Sequence, residues 1–140
     1  MKNSKDLKTT LASILDERMK STDATAFEAF SEQLLDLGIE RFNFDALTDE
    51  MTFYTKDRFV CSLVRSDVKQ ARETGEWKLG NSFNRVSTER AIAELDAGRL
   101  SGIEFHREIF SSGVVMCQVF LACRKIYYVG LNAQHYLEEY

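Results

Sequence analysis

Two histidines, His106 and His135, and three cysteines, Cys61, Cys117 and Cys123, are the side chains of this 140-residue chain best suited to acid–base, nucleophilic or metal chemistry. A zinc site needs three or four ligands at close spacing. Here there is no C-x-x-C pair and the histidines lie far apart in the sequence, so neither a metal nor a cofactor is expected. Each cysteine falls in an apolar run, where burial raises the thiol pKa and leaves the group an inert, reduced core residue. Pairing Cys117 or Cys123 with His135 across a sheet is the one nucleophilic dyad on offer, and the apolar surroundings weigh against it. No G-x-S-x-G elbow occurs, and Ser111-Ser112-Gly113 reads as a helix end. Gly75 and Gly80 are not followed by the G-K-[ST] of a phosphate loop. Adjacent carboxylates such as Asp49-Glu50 and Glu138-Glu139 would point to opposite faces of a strand and read as solvated acids. The catalytic residues, if there are any, stay unknown at this level.

Contact chemistry is easier to place. Residues 65–87 break the pattern of the rest and contain EWKLGNSFNRV, with the sole tryptophan. Trp77, Lys78, Phe83 and Arg85 combine aromatics with cations, the mixture that contact hot spots favour. They are the candidate surface for a protein partner, unless Trp77 and Phe83 tuck over an open end of the core. A different reading is a small-molecule pocket between the two halves of the chain, lined by His106, Tyr127, Tyr128 and His135. A third, single-stranded nucleic acid stacking on Trp77 and Phe83, is disfavoured by a net charge of −4 and a pI near 5.3. Residues 56–90 carry 8 basic and 5 acidic side chains, a mild excess that falls short of a basic patch.

The elements that must position these groups follow from periodicity. Helical spacing puts Leu7, Leu11, Ile14 and Leu15 on one face of residues 4–18, and Phe27, Phe30, Leu34 and Leu37 on one face of residues 26–37. Thr25 and Glu28 have capping-box spacing, and Gly38 supplies the stop. Alternation then predicts strands at 39–45, 51–54 and 59–64. A short polar helix could lie at 66–74, outside this series, which then recurs: helix 88–97, a helix opened by Ser101 and Glu104 and ended by Gly113, and strands at 114–123, 126–129 and 134–138. The apolar run 114–123 predicts a central strand covered on both faces.

At 44% hydrophobic residues with ten Phe, the chain has ample core material for one domain. The expectation is a single α+β domain spanning 1–140. It would consist of two α-α-β-β-β repeats (about 4–64 and 88–140) joined by 65–87, forming one mixed or antiparallel sheet with helices packed on one side. Aligning Gly38 with Gly113 also aligns Phe30 with Phe105 and Ile39 with Val114. The polar start MKNSKDLKTT lacks a secretory h-region and no run is long enough to span a bilayer, so a soluble cytoplasmic protein is expected. The strand at 134–138 could serve as an edge for a homodimer.

Gly98, Phe105, Gly113-Val114, Tyr127-Tyr128 and Glu138-Glu139, with a looser echo in Phe30, Gly38-Ile39 and Phe53-Tyr54, carry a resemblance. The chain resembles a family of short bacterial and prophage proteins sometimes labelled "phage envelope protein", departing from it at Cys117 and Phe120. The resemblance implies a duplicated α+β fold and a prophage setting, and it implies no reaction. The function expected from the sequence is therefore a non-enzymatic interaction or accessory protein that binds another protein through 65–87, with the pocket reading as its alternative.

Overall fold

The computed structural model describes residues 4–140; Met1, Lys2 and Asn3 of the polar start lie outside the described residues. In chain order the elements are α1 (Ser4–Lys20), α2 (Ala26–Asp36), β1 (Arg41–Asp45), β2 (Glu50–Tyr54), β3 (Phe59–Val64), α3 (Ser66–Glu73), α4 (Arg85–Asp96), α5 (Gly102–Ser111), β4 (Val114–Phe120), β5 (Lys125–Gly130) and β6 (His135–Glu139). The strands form one six-stranded antiparallel sheet in the order β3-β2-β1-β4-β5-β6. The fold is thus α+β, and the order α-α-β-β-β occurs on each side of the central β1–β4 pair, with α3 between the two occurrences. At the middle of that pair Asn43 faces Gln118.

Strand alternation sets the two faces of the sheet. Phe42 and Phe44 of β1, Met51 and Phe53 of β2, Cys117 and Val119 of β4, and Ile126 and Tyr128 of β5 are buried against the helices. Their neighbours Arg41, Asn43, Gln118, Phe120 and Tyr127 turn to the other face and stay partly open. The expectation that the strand after Gly113 is covered on both faces is therefore corrected, because helices cover one side only. That strand also ends earlier than expected, at Phe120. Leu121 is buried, Arg124 takes a left-handed conformation (φ 57°), and Cys123 lies exposed in the turn rather than in the core.

On the helical side, Leu11, Leu15 and Met19 of α1 and Phe30 and Leu34 of α2 are buried, as their spacing requires. The capping box at Ser101 and Glu104 forms, each side chain accepting the other residue's backbone N–H. The one expected at Thr25 and Glu28 does not. Asp23 Oδ1 instead accepts from the Thr25 N–H at 2.9 Å and its hydroxyl at 2.8 Å, while Glu28 is drawn to Arg124 at 3.0 Å. Helix α4 starts earlier than expected because Asn84 caps it, accepting from the Ser87 N–H at 2.9 Å.

The connecting segment is fastened to the C-terminal end of α5. Gly80 N–H donates to the Phe110 carbonyl and Asn84 N–H to that of Ser112, satisfying oxygens a helix end leaves unpaired. The approach is close at Gly113 (φ 86°), where a Cβ would lie 2.4 Å from the Ser82 carbonyl oxygen. Glycine is required there both for its φ and for the space.

Candidate functional site

Between the helical layer and the inner face of the sheet lies a cavity of about 400 Å³. Its floor comes from alternate residues of three strands: Phe42 and Phe44, Cys117 and Val119, Ile126 and Tyr128. Leu15, Arg18 and Met19 of α1, Phe27 and Phe30 of α2, and Phe105 and His106 of α5 form the roof. Ala24, Glu28, Asp96 and Glu139 are exposed and mark the rim. Across this rim Arg124 donates to Glu28 Oε1 at 3.0 Å and to the Tyr140 carbonyl at 2.6 Å. The Tyr140 ring meets Phe27 edge-on at 4.9 Å and its hydroxyl lies 3.3 Å from Ser31 Oγ, tying the chain after β6 to α2.

Against mostly aromatic and aliphatic walls stand a few polar groups. Arg18 follows Leu11 and Leu15 along the buried face of α1 and is only 9% exposed. Among the described residues no carboxylate lies within salt-bridge distance of its guanidinium, which sits 5.5 Å from the Phe27 ring centroid. Burial pulls its pKa down to about 10; the nearby Tyr128 opposes this and the Arg65 charge adds to it. His106 is stacked on Phe44 at 4.6 Å, and its Nδ1 is buried without a hydrogen-bond partner among the described residues. Burial first, then the positive charges of Arg65 and Arg18, hold this imidazole well below its ordinary pKa, so it is neutral at pH 7.

Also in the lining, Tyr128 donates its hydroxyl proton to Glu138 Oε1 at 2.6 Å. Burial raises the Glu138 carboxyl; the Tyr128 hydrogen bond works against that and the neighbouring Asp96 works with it. Partial burial at the rim raises Asp96, and full burial, with help from the Glu138 charge, pushes the Tyr128 phenol well up. The Cys117 thiol on the floor is buried and strongly raised, which keeps it protonated and a poor nucleophile. The arrangement offers an apolar chamber whose lining holds one cation and a few acidic groups, suited to binding.

The four residues expected to line a pocket do not converge. His106 and Tyr128 face the cavity, whereas Tyr127 and His135 lie on the other side of the sheet, 6.0 Å apart between ring centroids. Consecutive residues of one strand cannot both face inward, so Tyr127 and Tyr128 separate. The expected partner surface is divided as well. Trp77 is 7% exposed and packs on Phe110 at 6.3 Å, while Phe83 presses on Gly130, where a Cβ would lie 2.7 Å from that of Phe83. Both cover the core, and only Lys78 and Arg85 are exposed. Arg85 pairs with Glu89 at 3.0 Å and lies over the Tyr136 ring at 5.4 Å.

Arg18, Asp96 and Glu138 lie outside the sequence-based pocket candidates. The signal for Arg18 was available, since position 18 continues the i, i+4, i+7 stripe begun at Leu11. Glu138 was set aside with Glu139 as a solvated acid, yet the two diverge, Glu138 to Tyr128 and Glu139 to Lys125 at 4.0 Å. Among the described residues, no group of three or more His, Cys, Asp or Glu is placed to hold a metal ion, and no helix is long and apolar enough to cross a membrane. No protein-family model matches the chain, nor does any curated protein. The prophage resemblance thus rests on the quoted residues alone.

Proposed function

We propose that this protein binds a small, largely apolar molecule in the chamber between its helices and its sheet. The observation that carries the reading is the 400 Å³ cavity, whose apolar walls hold a few convergent polar groups. Its volume falls within the range of small-molecule sites. The raised Cys117 thiol supports binding rather than covalent chemistry, and three free cysteines support a reducing compartment such as the cytoplasm. N-phenyl-1-naphthylamine, a neutral apolar fluorophore, is the first probe. Saturable, one-to-one fluorescence enhancement is expected, sharply weakened by Leu95→Trp, which fills the chamber from α4. A folded wild-type protein that takes up none would refute the reading.

A second reading retains a protein partner on a narrower surface than the sequence suggested. Lys78, Arg85 and the 65% exposed Val86 remain at the surface after Trp77 and Phe83 turn inward. Loss of a captured partner on combined Arg85→Ala and Val86→Ser substitution would support it, and unchanged capture would reject it.

A further inference from the structure

We infer that the molecule bound in the chamber is an apolar monocarboxylic acid, with its carboxylate on Arg18 and its apolar body against the phenylalanines. This rests on the chamber being a small-molecule site and adds the chemical class.

Arg18 is the starting point. A guanidinium carries five N–H donors and no acceptor, and its charge is costly away from water unless a counter-ion meets it. Arg18 is nine-tenths buried, lines the chamber, and among the described residues has neither a carboxylate partner nor a side-chain hydrogen bond. Its surroundings add to the positive potential. Gly102, the first residue of α5, lies against it so closely that a Cβ there would be 2.8 Å from Nη1. That places the positive end of a helix dipole beside the guanidinium. The neutral His106 also lines the chamber and can donate one ring N–H to an anion without competing for it. A planar carboxylate matches the guanidinium fork with two parallel hydrogen bonds. A phosphate monoester, with more charge and more acceptors, would meet one fork and walls of phenylalanine.

The rest of the chamber limits the ligand body. Phe27, Phe30, Phe42, Phe44 and Phe105 offer apolar contact over a volume well above the ~150 Å³ that accommodates benzene. A medium-length alkyl chain or a pair of rings fits that space. Glu138 and Asp96, also in the lining, have no cation in salt-bridge contact among the described residues, and burial raises the proton affinity of both. Among the described lining residues Arg18 is the one lysine or arginine, so a second carboxylate on the ligand would meet no counter-ion, and this selects monoacids over diacids.

The test is isothermal titration of the full chain with decanoate, decanol and decanedioate, using wild type, Arg18→Met and Arg18→Lys. Wild type is expected to bind decanoate roughly ten- to a hundredfold more tightly than decanol, the worth of a hydrogen-bonded charge. It should discriminate against decanedioate. Arg18→Met should erase the preference for acid over alcohol while still binding decanol, and Arg18→Lys should keep part of it. Decanol binding wild type as well as decanoate does would overturn the assignment of an acid, and this comparison needs no variant to fold. If decanol, decanoate and the neutral fluorophore all fail to bind, the small-molecule reading falls and takes the acid class with it.

Discussion

Replacing Arg18 by methionine should make the ligand-free protein more stable, which is unusual for a change at a buried position. A guanidinium whose pKa is pulled down to about 10 from its ordinary value is disfavoured in its charged form by about 3 kcal/mol. Arg18 stays charged in folded and unfolded chains alike below pH 9, so this cost is constant from pH 5 to 9. It is relieved only as the pH climbs above 10, where the folded state begins to release the proton first. Methionine keeps the straight stem that packs beside Leu15 and Met19 and removes the charge. Allowing for water in the chamber that solvates part of the guanidinium, a gain of about 1–3 kcal/mol remains. At this chain length that is roughly 4 °C in Tm for each kcal/mol. Urea unfolding of both proteins at pH 5, 7 and 9 measures it, and the difference should be the same at all three. A variant less stable than wild type by 1 kcal/mol or more would mean that Arg18 is satisfied by the fold itself, and the case for an anionic ligand would lose its physical basis.

Other substitutions separate structural from ligand-directed residues. Asp49 is 1% exposed and accepts from Arg72 Nε at 3.1 Å and Nη2 at 2.7 Å, so Arg72→Met should cost about 3 kcal/mol in chemical denaturation by leaving a buried charge unpaired. Trp77→Ala should lower stability by about 3–5 kcal/mol, as expected for a core aromatic, where a surface contact residue would cost little. Glu138, whose folded pKa is raised, favours the folded state while protonated. Wild-type stability should therefore fall as the pH rises from about 4.5 through the raised value, and Glu138→Gln should reduce that decline in urea titrations between pH 4.5 and 8, leaving the part that Asp96 contributes.

Much of the fold could be read from local pattern because the patterns are strong where burial is one-sided. Phe42 and Phe44 alternate with Arg41 and Asn43, and the register of β1 against β2 and β4 keeps that alternation in phase across the middle of the sheet. Gly38 and Gly113 follow α2 and α5 with left-handed φ values of 84° and 86°, as helix stops should. Failures came where a long-range contact outweighs a local rule. Thr25 and Glu28 have capping-box spacing, but the carboxylate is taken by Arg124, 96 residues away in sequence. Trp77 and Phe83 have the composition of a contact loop, yet their destinations, Phe110 and Gly130, lie on elements whose position no local pattern gives.

The chamber was hard to see for a related reason. Ligand sites announce themselves in sequence when chemistry demands closely spaced residues, as in metal clusters or phosphate loops. Here the polar groups come singly from different elements, Arg18 from α1, His106 from α5, Tyr128 from β5 and Glu138 from β6, each embedded in apolar neighbours. Arg18 reads as an imperfection in a hydrophobic stripe and Glu138 as an ordinary surface acid, whereas His106 and Tyr128 are legible as pocket candidates beside Tyr127 and His135, which the sheet turns away. The meaning of Arg18 lies in what it lacks. A charge placed on the buried face of α1 with no counter-ion among the described residues lowers the stability of the fold, and leucine or methionine at position 18 would not carry that cost. A bound carboxylate offsets that cost, so the residue that weakens the ligand-free protein is the one that should distinguish an acid from its alcohol.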